Sequence, residues 1–305
     1  MRGCVLIMNH TDEEHIYDVT CIGNYTNDTV VSPSGERHVD GGAVNYAAHA
    51  AIAMGLDVAV VTRLAQEDYH VIDTLNELGA DCFVEITPQS TLMKLEYPTT
   101  NIDQRNLYVK GNAGTITVES VESIKTKAAV VGTSFRTEVG LDVIHALRER
   151  VTLLAADVQG FVRVLQDEKL THEPWAEMEQ TLACLDIVKT DGREATFLTG
   201  ETDLVEAARK LNELGPKEVL ITHNGGVLLF TDNSGHEADF YPQKLVGRTG
   251  RGDTCLSAYI GKRLSELPKE SLIWAAALTS LKMETEGPFH RDICEVEELV
   301  ERKYA

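Results

Sequence analysis

The chain has 305 residues, of which 43% are hydrophobic and 25% charged, and a formal net charge of −20. This composition is typical of a globular protein with a large core. The strong negative charge argues against nucleic acid or an anionic membrane as a partner, because both are bound by basic surfaces. The cysteines are scattered without a C-x-x-C pair, and no apolar run reaches the length of a membrane span. We therefore predict a cytoplasmic protein with reduced thiols.

The first predicted strand is the apolar run Val19 to Gly23, which follows an extension or added edge strand at residues 1–17. The polar, turn-like stretch Asn24 to Asp28 comes next. In α/β proteins, ligand-binding groups lie where strands end, so Asp28 is a candidate for binding a ligand. An ordinary turn is the alternative.

A double glycine, Gly41-Gly42, precedes a predicted helix that ends at Gly55. Glycines at a helix start allow a ligand to approach the backbone closely. Asn45 lies in the first turn of this helix. A plain helix start without a ligand is the alternative.

Short strands with a period of two are predicted in two regions, at about residues 30–40 and 85–117. We expect them to form a small β-sheet inserted into the main body. After residue 120, strands and helices alternate, which predicts a parallel sheet with helices on both faces. The predicted strands are Ala128 to Val131, Leu153 to Ala156, Ile187 to Lys189 and Val219 to Thr222. No repeat or linker divides the chain, so residues 1–305 are predicted to form one domain.

Polar clusters follow three of these strands, and the carboxyl ends of parallel strands meet at one edge of a sheet. The first cluster contains Asp157, Gln159 and Arg163; the second contains Lys189, Asp191 and Glu194; the third runs from Thr222 to Gly225. The carboxylates of the second cluster suit Mg²⁺, which prefers oxygen ligands. A capped helix start and solvent-facing side chains are the alternatives.

The segment Val246 to Cys255 is a glycine-rich turn followed by an apolar helix face. Unpaired N–H groups at a helix start form a pocket for an anion, usually phosphate. Asp253 stands beside that pocket, where a carboxylate could take the proton from an attacking hydroxyl. The alternative role for Asp253 is a helix N-cap.

Within this segment, Thr249-Gly250-Arg251-Gly252-Asp253-Thr254 resembles the T-G-A-G-D-[ST] signature of the ribokinase-like sugar kinases, the phosphofructokinase-B family. The clusters described above resemble other motifs of this family in the same order, from residue 19 to about 290. The D-x-Q-x-x-x-R pattern of residues 157–163 resembles the inositol kinase branch. The resemblance implies a ribokinase-like α/β fold: a mostly parallel central sheet with helices on both faces and a small inserted β-sheet. That small sheet would act as a lid, and a homodimer through it is a further expectation.

The resemblance also implies roles for individual residues. Asp253 would be the catalytic base, with Gly250, Arg251 and Gly252 holding the transferring phosphoryl group. The residues expected to bind substrate are Asp28, Gly41, Gly42, Asn45, Gln159 and Arg163. Those expected to bind nucleotide are Lys189, Thr222, Gly225 and Thr249. Asp191 and Glu194 would organise Mg²⁺.

The function that the resemblance implies is an ATP-dependent kinase acting on a hydroxyl of a small sugar or polyol, with myo-inositol favoured. A kinase of another sugar or of a nucleoside is one alternative, and a non-catalytic sugar-binding protein of the same fold is another. The chain departs from the family pattern at Arg251, where alanine is usual, and at Gly247, where many relatives have an aspartate that helps bind a potassium-like ion. We therefore expect activity that is nearly independent of potassium.

Overall fold

The computed structural model describes residues 15–99 and 105–304. Strands in these ranges, in chain order, are β1 Tyr17–Ile22, β2 Thr26–Ser32, β3 Gly35–Gly41, β4 Val58–Ala65, β5 Asp81–Thr87, β6 Thr91–Glu96, β7 Asn106–Gly111, β8 Thr126–Val131, β9 Leu153–Asp157, β10 Arg163–Gln166, β11 Lys169–His172, β12 Ile187–Asp191, β13 Glu218–Thr222, β14 Gly226–Thr231 and β15 Ser234–Asp239. The helices are α1 Ala43–Ala53, α2 His70–Glu77, α3 Leu141–Arg148, α4 Gln159–Val162, α5 Met178–Leu182, α6 Gly192–Thr199, α7 Leu204–Asn212, α8 Arg251–Arg263, α9 Pro268–Lys282 and α10 Ile293–Lys303.

The main sheet has the strand order β15-β14-β13-β12-β9-β8-β1-β4-β5. Neighbouring strands from β13 to β5 pair in parallel, whereas β14 and β15 extend the sheet as an antiparallel edge. The central strands are runs of buried residues, as expected for a sheet that is covered on both faces. One face packs against α1, α2, α8, α9 and α10, and the other against α3, α5 and α7. The predicted α/β architecture is confirmed.

A second, smaller sheet has the order β10-β11-β7-β6-β2-β3. Its inner face forms a small apolar cluster with Phe135, which follows β8 of the main sheet. The other buried members of this cluster are Val30, Met93, Leu95, Val109 and Leu170. Because Phe135 joins the cluster, the second sheet is held against the body at the end of a central strand.

The composition of the second sheet differs from the prediction at two places. β5 (Asp81–Thr87) belongs to the edge of the main sheet, paired in parallel with β4, so the second of the two inserted regions begins at β6 rather than at residue 85. Because β5 is an edge strand, several of its side chains are exposed. Its sequence therefore shows the alternation of apolar and polar residues that was expected of the small sheet. The β10–β11 hairpin was not predicted, because its turn places Asp167 and Glu168 at positive φ, where glycine or asparagine is the usual signal.

Residues 1–14 lie outside the described ranges, and with them most of the extension expected before the first strand. No helix within the described ranges is long and apolar enough to cross a membrane. The cysteines described there are free thiols: Cys21, Cys82, Cys184, Cys255 and Cys294.

Candidate active site

A cleft of about 600 Å³ lies between the carboxyl end of the main sheet and the second sheet. It is lined by most of the residues predicted for the site: Asp28, Gly42, Gln159, Arg163, Lys189, Asp191, Glu194, Thr222, Thr249, Gly250, Arg251, Gly252 and Asp253. Gly41, Asn45 and Gly225 do not line it. The separate polar clusters of the sequence therefore converge on one cavity.

The turn before α8 has the features of an anion site. Gly250 is the N-cap of α8 with φ +75°, and a Cβ atom there would lie 2.0 Å from Cδ1 of Tyr46. The position therefore requires glycine both for its backbone conformation and for its packing. The N–H of Arg251 donates to the carbonyl of Arg248 at 3.1 Å. Among the described residues, no main-chain acceptor is found for the N–H groups of Gly252 and Asp253, so both can bind an anion; the N–H of Asp253 also acts on the carboxyl group of its own side chain.

A buried ion pair lies directly beneath this turn. Nζ of Lys189 donates to Oδ2 of Asp157 at 2.7 Å, and the side chains are 4% and 1% exposed. Burial works against the ammonium, but the carboxylates of Asp157, Glu194 and Asp253 together raise the pKa of Lys189. A Cβ atom at Gly252 would lie 2.2 Å from Nζ of Lys189. Glycine at this position thus brings the anion-binding turn against a permanent cation.

Asp253 lies in the first turn of α8 and faces the cleft. Burial, followed by the charge of Asp157, raises the pKa of its carboxyl group, while Lys189 and Arg163 act in the opposite direction. A carboxylate whose pKa is raised accepts a proton more readily at neutral pH, which suits a general base. The position and charge environment of Asp253 are therefore compatible with the role predicted for it.

Asp191 and Glu194 form a capping box at the start of α6. Oδ1 of Asp191 accepts from the N–H groups of Arg193 and Glu194 at 2.9 and 2.8 Å, and Oε2 of Glu194 accepts from the N–H of Asp191 at 3.1 Å. Nη2 of Arg163 lies 3.1 Å from Oε1 of Glu194, so Arg163 contacts this carboxylate as well as the cleft. Burial raises the pKa of Glu194 to about 7. Burial also acts to raise the pKa of Asp191, but the N–H of Glu194 and the charges of Lys189 and Arg163 outweigh it and lower that pKa.

The described residues contain no cluster of three carboxylate, histidine or cysteine side chains that could hold a metal ion by themselves. Two carboxylates, those of Asp191 and Glu194, line the cleft next to each other. Mg²⁺ usually keeps several waters and takes further ligands from substrate phosphates. The residues present therefore fit a magnesium ion that is held mainly by a phosphate donor and water.

Buried polar groups without partners lie in the lining of the cleft, at Asp28 and Tyr46, and in the first turn of α1, at Asn45. Asp28 is 5% exposed, and burial raises the pKa of its carboxyl group to about 7. Within the described structure no hydrogen-bond partner is found for Oδ1 of Asp28, Oδ1 of Asn45 or the hydroxyl of Tyr46. Buried polar atoms are normally paired, so such groups indicate a polar ligand. Gly41 contributes indirectly, because a Cβ atom there would lie 2.3 Å from Oδ2 of Asp28.

The cleft is lined by more basic than acidic side chains. Gln159 is anchored by its Nε2, which donates to the carbonyl of Thr133 at 3.2 Å. The basic residues that line the whole cleft are Arg105, Arg163, Lys189, Arg193, Arg248 and Arg251, against the acidic Asp28, Asp191, Glu194 and Asp253. A chain of net charge −20 thus presents a locally basic cleft, which attracts anionic ligands.

Sequence reasoning missed three contributors to the site. Tyr46 was placed on a helix without a role, although it packs on Gly250 and faces the cleft. Arg248 was noted only as part of the loop, yet its Nη2 donates to Oδ1 of Asn224 at 2.9 Å. Lys282 was not singled out from the sequence, and its ammonium reaches the loop before α8. The available signal for Lys282 was its spacing from Ala275 and Leu278, which puts a lysine on a buried stripe.

The fold and cleft are those of a small-molecule kinase, with an aspartate at an anion-binding helix start beneath a second sheet. The chain belongs to the pfkB family of carbohydrate kinases, whose pattern matches residues 15–290.

Individual relatives agree with this assignment. A pyrophosphate-dependent kinase of the ribokinase family, solved with a pyrophosphate analogue and myo-inositol, is 32% identical with a TM-score of 0.85, covering 91% of this chain and 99% of that one. The cytidine kinase of Thermococcus kodakarensis is 24% identical over 84% of this chain and 92% of its own length. The ribokinase of Arabidopsis thaliana, solved with ribose and ATP, is 19% identical with a TM-score of 0.74 over 94% of this chain and 99% of that one, and shows the shared fold.

Proposed function

We propose that the protein is a polyol kinase that phosphorylates one hydroxyl of a cyclic polyol, with myo-inositol favoured. The observation that carries this proposal is that Asp253 lines the same cleft as the buried, unpartnered Oδ1 of Asp28 and a set of arginines. Oδ1 of Asp28 is an acceptor atom in the cleft that suits a hydroxyl donor of a polyol. The myo-inositol in the similar pyrophosphate-dependent kinase supports the same substrate.

The proposed reaction is direct phosphoryl transfer. Asp253 takes the proton from the acceptor hydroxyl as that oxygen forms a bond to phosphorus, and the bond from phosphorus to the leaving phosphate breaks. The N–H groups of Gly252 and Asp253 and the ammonium of Lys189 stabilise the negative charge of the transferring group. Gly42, Gln159 and Arg163 line the cleft together with Asp28.

Mg²⁺, when bound with the donor, would neutralise phosphate charge, with Asp191 and Glu194 accepting hydrogen bonds from its waters. In this role the capping box has a second consequence. The main-chain N–H groups that hold Asp191 and Glu194 keep both carboxylates in one place, so their acceptor oxygens are pre-arranged before a ligand enters.

Two donors have support. ATP is supported by the sequence pattern from Thr222 to Gly225, which resembles a nucleotide loop, and by Thr222 and Thr249 in the cleft. Pyrophosphate is supported by Arg193, Arg248 and Arg251 at the donor end. The similar kinase solved with a pyrophosphate analogue also supports pyrophosphate. We infer that pyrophosphate is the better donor and that ATP is the second candidate.

Product formation tests the substrate and the donor together. The purified protein is incubated with Mg²⁺, with pyrophosphate or ATP, and with a panel of myo-inositol, ribose, fructose and cytidine, and ³¹P NMR follows the phosphomonoester. We expect an inositol phosphate, formed faster from pyrophosphate than from ATP. Phosphorylation of ribose or cytidine in preference to myo-inositol would overturn the substrate, and faster turnover with ATP would overturn the donor. No product with any pair, while ligands still bind, would favour a non-catalytic sugar-binding protein.

A further inference from the structure

The side chain of Lys282 is a buried cation that contacts the loop before α8. Lys282 is the last residue of α9 and is 0% exposed. Its Nζ donates to the main-chain carbonyl of Gly247 at 3.3 Å and to that of Thr249. The ammonium also lies 5.2 Å from the ring centroid of Tyr46. In the described part of the chain, no carboxylate lies within 4.0 Å of Nζ.

A buried ammonium without a paired carboxylate is costly, because charges lose their hydration on burial. Burial accordingly lowers the pKa of Lys282 to about 8, although the more distant charges of Asp253 and Glu286 counteract it. An apolar side chain would fill the same space at lower cost. The ammonium of Lys282 is therefore present despite the free-energy cost of its desolvation. Its partners are main-chain carbonyls of a loop in the candidate site.

These contacts fix the direction of two peptide groups. In a trans peptide the C=O and N–H point in opposite directions, so carbonyls turned toward Lys282 direct the N–H groups of Arg248 and Gly250 away from it. The carbonyl of Met283 accepts from the N–H groups of Val246 and Gly247 at 2.9 and 3.1 Å, which ties the loop to the end of α9. Together these bonds hold the segment that sets the start of α8.

We propose that Lys282 is a positioning residue that acts as a built-in monovalent cation: it holds loop 247–250 in the geometry that presents the N–H groups of Gly252 and Asp253 to the transferring phosphoryl group. This inference rests on the proposed phosphoryl transfer. On this proposal Lys282, rather than Arg251, is the main reason for the potassium independence that is expected from the sequence. A second cavity of about 320 Å³, lined in part by Lys282, Gly247 and Thr249, gives small cations a path to the position.

The test combines removal of the ammonium with chemical rescue. Lys282→Ala, Lys282→Met and Lys282→Arg are compared with Lys262→Ala, in which the lost ammonium lies over the ring of Trp274 at 3.9 Å instead of on the loop. For Lys282→Ala and Lys282→Met we expect a loss of about tenfold or more in kcat with smaller changes in KM, as for a lost electrostatic contact at the transition state. Ammonium, methylammonium or potassium should restore part of the kcat of Lys282→Ala, and tetramethylammonium should not. Lys282→Arg should keep more activity than Lys282→Met, and Lys262→Ala should match the wild type.

Three results would overturn the proposal: unchanged kcat in Lys282→Ala, a folded Lys282→Ala enzyme whose loss no small cation reverses, or strong activation of the wild type by potassium over sodium at equal ionic strength. The last measurement needs no variant and remains decisive if the substitutions prevent folding. An inactive wild type with every donor and acceptor would instead reject the proposed function, so the two failures are distinguishable.

Discussion

Lys189 and Asp157 form a buried ion pair, 2.7 Å between Nζ and Oδ2, that lies directly under the helix start carrying Asp253. The pair comes from two neighbouring parallel strands, with Asp157 at the end of β9 and Lys189 beside it in β12. Removing one partner of such a pair leaves an uncompensated buried charge, which is strongly destabilising. The pair therefore supplies a fixed cation beside the turn before α8. It also restricts position 252, next to the ammonium of Lys189, to glycine.

Gly252→Ala tests that constraint. The new Cβ atom would lie 2.2 Å from Nζ of Lys189, so either the ammonium or the turn must move. We expect kcat to fall by about a hundredfold, because small misplacements of catalytic groups have effects of this size. Gly140→Ala is the matched control: it also adds a methyl group before a helix, but the nearest atom is the side-chain oxygen of Asp142, which can rotate away. Equal activity of both variants in steady-state assays would show that the close approach of residue 252 to Lys189 is not needed for turnover.

Asp28→Asn should stabilise the ligand-free protein while it weakens substrate binding. Burial raises the pKa of Asp28 to about 7, above its value in an unfolded chain, so between these two values the folded state binds more protons than the unfolded state. The free energy of unfolding then decreases as pH rises toward 7, and Asn removes this dependence. The melting temperature of the variant minus that of the wild type should therefore grow between pH 4 and pH 8, by at least about 2 °C.

The same Asp28→Asn variant should show a higher KM for the polyol. Asp142→Asn, at an exposed position on α3, serves as the control for loss of a carboxylate. A melting-temperature difference that stays constant with pH would contradict the burial argument, and an unchanged KM would remove Asp28 from the substrate site.

Arg251→Ala should reduce turnover by about tenfold or more, or about 1.4 kcal/mol or more of barrier. The guanidinium lines the cleft next to the anion-binding turn, and phosphoryl transfer spreads negative charge over the oxygens that face it. Steady-state kinetics with pyrophosphate and with ATP would measure the loss, with Arg209→Ala on the exposed face of α7 as the control. Unchanged turnover with both donors would mean that Arg251 serves only to cover Phe240.

The sequence predicted those parts of the protein that depend on local pattern. The turn from Thr249 to Asp253 was predicted because its glycines and aspartate are adjacent in the chain, and the parallel strands because each is a short apolar run. Asp28 was selected by the same kind of signal, since it closely follows the first apolar run, and the structure places it in the lining of the cleft.

Contacts between distant residues could not be predicted in this way. The pairing of Arg163 with Glu194 joins residues 31 positions apart, and Lys282 meets Gly247 across 35 positions. A lysine on an apolar stripe gives a signal that something polar is buried, but the pattern does not identify its partner. The β10–β11 hairpin was missed because Asp167 and Glu168 are unusual residues for a turn with positive φ.

The most direct test of the central claim is the rate of phosphomonoester formation by wild type and Asp253→Asn, followed by ³¹P NMR with saturating myo-inositol and donor. The amide keeps the shape of the side chain and cannot accept the proton, so turnover should fall at least about a hundredfold. Calorimetry should show that the variant still binds the donor, because the substitution leaves the main-chain N–H groups of the turn in place. An Asp253→Asn enzyme with turnover close to that of the wild type would contradict the assignment of Asp253 as the base, and with it the mechanism proposed for this cleft.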